Sequence, residues 1–286
     1  NGGLEIINTT PRGMNHCYEL LEVVRDNPRY FVQHLSVEQT FDNEGNRIIS
    51  EEQIDDARKM GMSEEMVQQE FMVSFEVGNI GAYFTREYAA IEREGRILVF
   101  GVNPSLPLHT CSDLGGTDAT AMVLYQIEGA FINIVGCIHD SGQGLKWYLE
   151  QADAFRIAHK CRWGNHWMPH DVGQKHQGWE HTESRIMQAR KAGWLLMTTP
   201  KVNFEDGIES LRYILPKMRI HKHNCAILLR AIREYQREYD EQRACYKSKP
   251  LDNWATHIVD ALRYLGVNYR RLYDNPSSPI KYTTSL

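Results

Sequence analysis

No apolar run in this 286-residue chain approaches the roughly eighteen residues that a membrane-spanning helix needs, so the sequence offers no such span. It has neither an initiator Met nor a signal peptide, and the expectation is a fragment or a processed piece of a longer chain. The six cysteines, Cys17, Cys111, Cys137, Cys161, Cys225 and Cys245, include no CxxC pair. That spacing argues for a reducing compartment and against a disulfide frame or a zinc knuckle. His159 and Cys161 stand close enough for a shared metal, but no second pair at ligand spacing completes a site. The pattern GxxxxGK[ST] is absent, so the chain alone cannot hold a complete P-loop nucleotide site. Internal repeats and low-complexity tracts are absent too.

What is present suits a globular chain with one large domain or two modest ones, 42% of its residues being hydrophobic. Its charge is unevenly divided. Residues 1–108 hold 9 Lys/Arg against 18 Asp/Glu, whereas residues 109–286 hold 23 against 19. The second part also carries ten of the twelve histidines. A basic, histidine-rich half is compatible with a polyanionic partner, although two ordinary solvated surfaces would look the same.

The pattern from His109 to Tyr125 predicts a strand that delivers Asp113, a tight turn at Gly115-Gly116, and a strand running back over Ala121–Tyr125. A third strand is expected over Phe131–Ile138, then a helix with Leu145, Tyr148, Leu149, Ala152 and Phe155 on one face. Further on, the reading is a strand from His166 to His170 ending on Asp171, a helix over about 182–192, and a strand over Trp194–Thr198. After these come a helix capped by Asn203 and ended by Pro216, and a long helix with Ile227, Leu228, Ala231, Ile232, Tyr235 and Tyr239 inward. Three antiparallel strands followed by alternating helices and strands is the ribonuclease H order, an α/β mixed sheet flanked by helices.

Ahead of this, strands are expected at Leu4–Ile7 and Tyr30–Leu35, with a helix over Met14–Arg25 between them. Residues 38–85 are acidic and helical in pattern, with helix starts at Ser50 and Ser63, and suggest a small lid or linker. A last helix, capped by Asp252, carries Trp254, Ile258, Ala261, Leu262 and Leu265 as its apolar stripe. His257, Asp260 and Tyr264 lie on the adjoining stripe, and Arg263 on the opposite face.

Three carboxylates then fall at convergent places if the first and fourth strands are neighbours: Asp113 and Asp171 at strand ends and Asp260 on the closing helix. Hard divalent cations take oxygen ligands, held by a few carboxylates together with substrate phosphate. Two such ions activate a water and stabilise a leaving oxygen. Asp118 reads first as turn chemistry and second as a fourth ligand. An ordinary turn for Asp113 and an ion pair with a nearby base for Asp260 are the plainer alternatives.

At these residues the chain resembles the large subunits of tailed-bacteriophage terminases. Asp113-Leu-Gly-Gly-Thr-Asp-Ala-Thr-Ala, Met168-Pro-His-Asp-Val and Trp254-Ala-Thr-His-Ile-Val-Asp-Ala-Leu-Arg-Tyr264 are similar to their three nuclease motifs. Asn8-Thr-Thr-Pro-Arg-Gly13 is similar to the coupling motif that ends their packaging ATPase core, and Gln69-Glu-Phe71 and Gly81-Ala-Tyr-Phe84 sit where that family passes from lid to nuclease. The family's Walker A and B segments are missing.

The resemblance implies residues 1–85 as the carboxyl-terminal remnant of an ATPase domain with its lid, and 86–286 as a ribonuclease H-like nuclease. It implies a metal-dependent endonuclease that cuts concatemeric double-stranded viral DNA in the host cytoplasm. Asp113, Asp171 and Asp260 would hold Mg²⁺ or Mn²⁺, with Thr9 and Thr10 as nucleotide sensors of an intact motor. A portal protein and a small terminase subunit would be partners. Lys175, Lys247 and Lys249 are candidate phosphate contacts from their charge and position. A transposase, integrase or resolvase of the same fold, and a non-catalytic docking module, are the competing readings.

Overall fold

The computed structural model describes residues 6–11, 16–62, 64–75, 81–115, 120–170, 189–191, 193–194, 196–240 and 245–274. The chain divides into two compact units, Asn1–Ala82 and Tyr83–Leu286.

The first unit is helical where it is described, with α1 (His16–Val24), α2 (Glu51–Lys59) and α3 (Glu64–Glu70). Ser50 caps α2 as its sequence predicts: its hydroxyl accepts from Gln53 N, and the Gln53 side chain returns to Ser50 N. Val37, Ile54 and Val67 form a small core. The expected strands do not form in the described residues. Ile6 and Ile7 are exposed and irregular, and so is Phe31 within Tyr30–Leu35. A strand needs a partner for its backbone groups, and an apolar run without one remains irregular.

The second unit is built on a seven-stranded mixed sheet. Its elements are α4 (Thr85–Arg93), β1 (Ile97–Leu98), β2 (Leu108–Asp113), β3 (Thr120–Glu128), β4 (Phe131–Asp140), α5 (Leu145–Ala158), β5 (Trp163–Met168), β6 (Leu196–Thr198), α6 (Phe204–Ile214), β7 (Met218–His221), α7 (Ala226–Glu234), β8 (Arg237–Asp240), β9 (Cys245–Pro250) and α8 (Trp254–Tyr269). The strand order is β1-β7-β4-β3-β2-β5-β6, with β8 and β9 as a separate hairpin. β3 runs antiparallel to both neighbours, and every other pairing in the large sheet is parallel. This is a ribonuclease H-like sheet. The turn from β3 into β4 places Gly129 at φ 59°, a left-handed conformation that glycine adopts without a Cβ clash.

Two cores separate the faces. Cys111, Ala121, Val123, Ile132 and Ile134 pack with Ile258, Ala261, Leu262 and Leu265 of α8 on one side. Met122, Leu124 and Val135 pack with Tyr148, Leu149 and Ala152 of α5 on the other. Buried on both faces, β3 reads as a continuous apolar run, Ala-Met-Val-Leu-Tyr.

Several expectations are corrected here. β5 ends at Met168, so Asp171 follows its end by three residues. The long helix expected after Pro216 forms only as the short α7, with Leu228, Ala231 and Ile232 buried but Ile227 37% exposed, and an unexpected strand, β7, precedes it. Tyr239 belongs to β8 and meets Tyr246 of β9 at 5.0 Å. Helix-compatible charged residues disguise both hairpin strands, and cross-strand pairs outweigh that local preference. The cap of α8 is Asn253, whose side chain accepts from Ala255 N, instead of Asp252. Of the helix expected near 182–192, residues 189–191 are helical, while 182–188 and 192 lie outside the described residues.

Candidate metal and nuclease site

Asp113 is the last residue of β2 and sits in register with Ala121 of β3, which in turn faces His139 of β4. The three therefore share one row and one face of the sheet, the face that α8 covers. From α8, His257 Nδ1 reaches Asp113 Oδ2 at 2.7 Å. Asp260 follows His257 by three residues, which places both on one side of the helix.

Asp260 is a partly buried carboxylate on α8. Burial pushes its pKa up, Arg263 opposes that, and the charge of Asp113 adds to the rise. The two aspartates thus feel each other across the strand end and the helix. Asp260 Oδ1 receives Arg263 Nη1 at 2.6 Å and the Tyr235 hydroxyl at 3.3 Å. Among the described residues, Asp113 Oδ1 and Asp260 Oδ2 accept no hydrogen bond. His139 has a lowered pKa, through burial first and the charge of His257 second. Its buried Nε2 has no partner among the described residues.

The parallel pairing of β2 with β5 places Cys111 beside Trp167, so the carboxyl ends of these strands are neighbours. That is the adjacency required for a carboxylate after β5 to approach Asp113. Asp171 itself lies outside the described residues, as do Lys175 and Asp118. Among the described residues, no three His, Cys, Asp or Glu side chains come together as a metal-binding group. The donor set that is present, two partly buried carboxylates each with one oxygen outside any hydrogen bond among the described residues, fits a hard divalent cation.

Lys247 and Lys249 belong to the separate hairpin and not to this row. From β9, both pair with Glu238 of β8, at 2.6 and 2.7 Å. Thr9 and Thr10 are exposed, with a local bond from Thr9 Oγ1 to Thr10 O at 3.3 Å.

The ion pair named as the plainer alternative for Asp260 does form, with Arg263 as its base, while Tyr235 was expected only as an inward residue of its helix. Arg263 was expected on the face of α8 away from the core, yet it is 9% exposed and turned onto Asp260. Its spacing of three from Asp260 is an ion-pair spacing and could have flagged it. Tyr235 comes from the end of α7, distant in sequence, and no local pattern announces its bond to Asp260.

The sequence matches no protein-family model, and no curated protein matches it. Solved structures do match. A large terminase from a thermophilic bacteriophage is 17% identical over 91% of this chain, with a TM-score of 0.50. The fold is similar to the part of that large terminase which the chain covers. The chain spans 60% of the length of that thermophilic-phage protein. The P22 large terminase nuclease domain is 19% identical over 67% of this chain and 93% of its own, with a TM-score of 0.48. The large terminase nuclease of thermophilic phage G20c, crystallised with bound magnesium, is 11% identical over 65% of this chain and 97% of its own, at 0.44. No described helix is long and apolar enough to cross a membrane.

Proposed function

We propose that residues 86–286 are the metal-dependent endonuclease of a DNA-packaging terminase large subunit, and that residues 1–85 are the end of its ATPase domain with a lid. The observation that carries this reading is the 2.7 Å bond from His257 to Asp113, which brings to the end of β2 the side of α8 that also carries Asp260. The likeness to the thermophilic-phage large terminase supports the fold on which that contact is built.

In this reading Asp113, Asp171 and Asp260 supply oxygen ligands for Mg²⁺ or Mn²⁺. Bound divalent ions would activate water and stabilise the leaving oxygen of a phosphodiester. His257 orients Asp113 by holding Oδ2, and Arg263 with Tyr235 holds Oδ1 of Asp260. Lys175, Lys247 and Lys249 would contact backbone phosphates of double-stranded DNA. The portal protein and the small terminase subunit are the proposed partners, in the host cytoplasm.

The test is nicking of supercoiled plasmid with Mg²⁺ or Mn²⁺. Activity that vanishes on chelation, is lost in Asp113→Asn and Asp171→Asn, and leaves free ends is the expected result. Joined strands would favour a transposase-like enzyme, and no cutting under any metal would favour a docking module.

A further inference from the structure

Among the described residues, both groups that hydrogen-bond to Asp260 take the same oxygen. Arg263 Nη1 stands 2.6 Å from Oδ1, and the Tyr235 hydroxyl donates to that atom at 3.3 Å. Oδ2 is left outside any hydrogen bond among the described residues.

Arg263 is itself held in a slot made by α6. Its guanidinium centre lies 4.6 Å from the Phe204 ring. A Cβ on Gly207 would come within 2.8 Å of Nε and Nη2, so only a glycine leaves room for the group where it stands. The helix crossing is tight at the next contact too: a Cβ on Gly266 would stand 2.7 Å from the Ser210 backbone.

Stability alone does not explain this arrangement. Arg263 Nε is buried with no partner among the described residues, and an incompletely satisfied buried ion pair is often no more stable than an apolar replacement of similar volume. A planar guanidinium does, however, fix the orientation of a carboxylate better than any apolar contact.

We propose that Arg263 is a positioning residue: seated against Gly207 and Phe204, it fixes Oδ1 of Asp260 and leaves Oδ2 as the oxygen offered to a divalent cation shared with Asp113. This rests on the nuclease reading above.

The test uses the full chain with Arg263→Met, Arg263→Lys and Gly207→Ala, checked for folding by near-ultraviolet circular dichroism. Mn²⁺ binding is followed by the electron paramagnetic resonance of free Mn²⁺, and cleavage by single-turnover plasmid nicking. Arg263→Met removes a cation beside the site, so Mn²⁺ should bind at least as tightly as in the wild type. Cleavage should nonetheless slow about 10- to 100-fold, because the ligand oxygen is no longer held. Arg263→Lys should recover part of the rate, and Gly207→Ala, which displaces the guanidinium, should lose part of it.

A folded Arg263→Met protein that cleaves at the wild-type rate overturns the proposal. So does one whose Mn²⁺ binding and rate fall in parallel with loss of folded signal, since that marks a purely structural role. A wild type that neither binds Mn²⁺ nor nicks DNA removes the nuclease reading and this inference with it. Wild-type nicking beside an unaffected Arg263→Met removes this inference alone.

Discussion

His257 Nδ1 lies 2.7 Å from Asp113 Oδ2, and this bond ties the end of β2 to the first turn of α8. The second contact of that helix with the site, Asp260 with Arg263, lies within α8 itself. The two aspartates are therefore held by different means.

Asp113→Asn keeps an acceptor within reach of His257 and relieves the repulsion that Asp260 feels. Its melting temperature is expected within a degree or two of the wild type, roughly the effect of a substitution worth about 0.5 kcal/mol. Asp260→Asn also removes a charge that burial disfavours, whereas Arg263→Met strands the buried Asp260 carboxylate without its counter-charge, at a cost of about 3 kcal/mol, or roughly 8 °C for a unit of this size. Thermal unfolding of the three variants without metal checks this. An Arg263→Met melting temperature equal to that of the wild type would show that the Arg263 pair contributes little.

A chain without a P-loop should neither hydrolyse ATP nor require it for cutting. Phosphate release from clean protein, with and without DNA, is the measurement. Turnover that survives repeated purification would mean that residues 1–85 have been misread.

Binding to duplex DNA should be weak, steeply salt-dependent and indifferent to sequence, with a log–log slope of about −0.9 per phosphate neutralised. Because Glu238 holds both Lys247 and Lys249, Glu238→Gln should tighten duplex binding and steepen the slope. Lys247→Gln with Lys249→Gln should flatten it by at most about 1.8. Anisotropy titrations at several salt concentrations, on two unrelated duplexes, decide this. A slope unmoved by either change would remove β8 and β9 from the DNA surface.

Stability should fall as the solution becomes acidic, through two buried histidines. Burial lowers the pKa of His109 to about 4, and burial with the charge of His109 lowers that of His166 to about 3. Both are neutral in the folded and unfolded states above the ordinary value of 6.5. Below it the unfolded chain binds protons that the folded chain refuses, so stability drops from there down to the lowered values. At pH 5 each histidine accounts for about 2 kcal/mol of that loss. His166→Gln, which retains a partner for Thr110, should lose about 2 kcal/mol less than the wild type between pH 7 and pH 5 in urea unfolding. An identical pH dependence in the two proteins would show that His166 protonates in place.

The sequence by itself determined the elements whose signal is local. The alternation and apolar runs of β2, β3 and β4, the capping box at Ser50 and the apolar stripe of α8 needed no partner to be read, because side-chain period and cap chemistry act within a few residues. Asp113 at a strand end was legible for the same reason. Tertiary structure alone decided the rest. β7 is a strand because β1 and β4 offer it edges on both sides, whereas Ile6 and Phe31, with no such edge among the described residues, stay irregular. Arg263 turns inward because Gly207, some fifty residues earlier, leaves space beside α8, and Tyr235 reaches Asp260 only through the packing of α7. Local propensity is a matter of tenths of a kcal/mol per residue, and the burial of a whole face or a paired charge outweighs it wherever the two conflict.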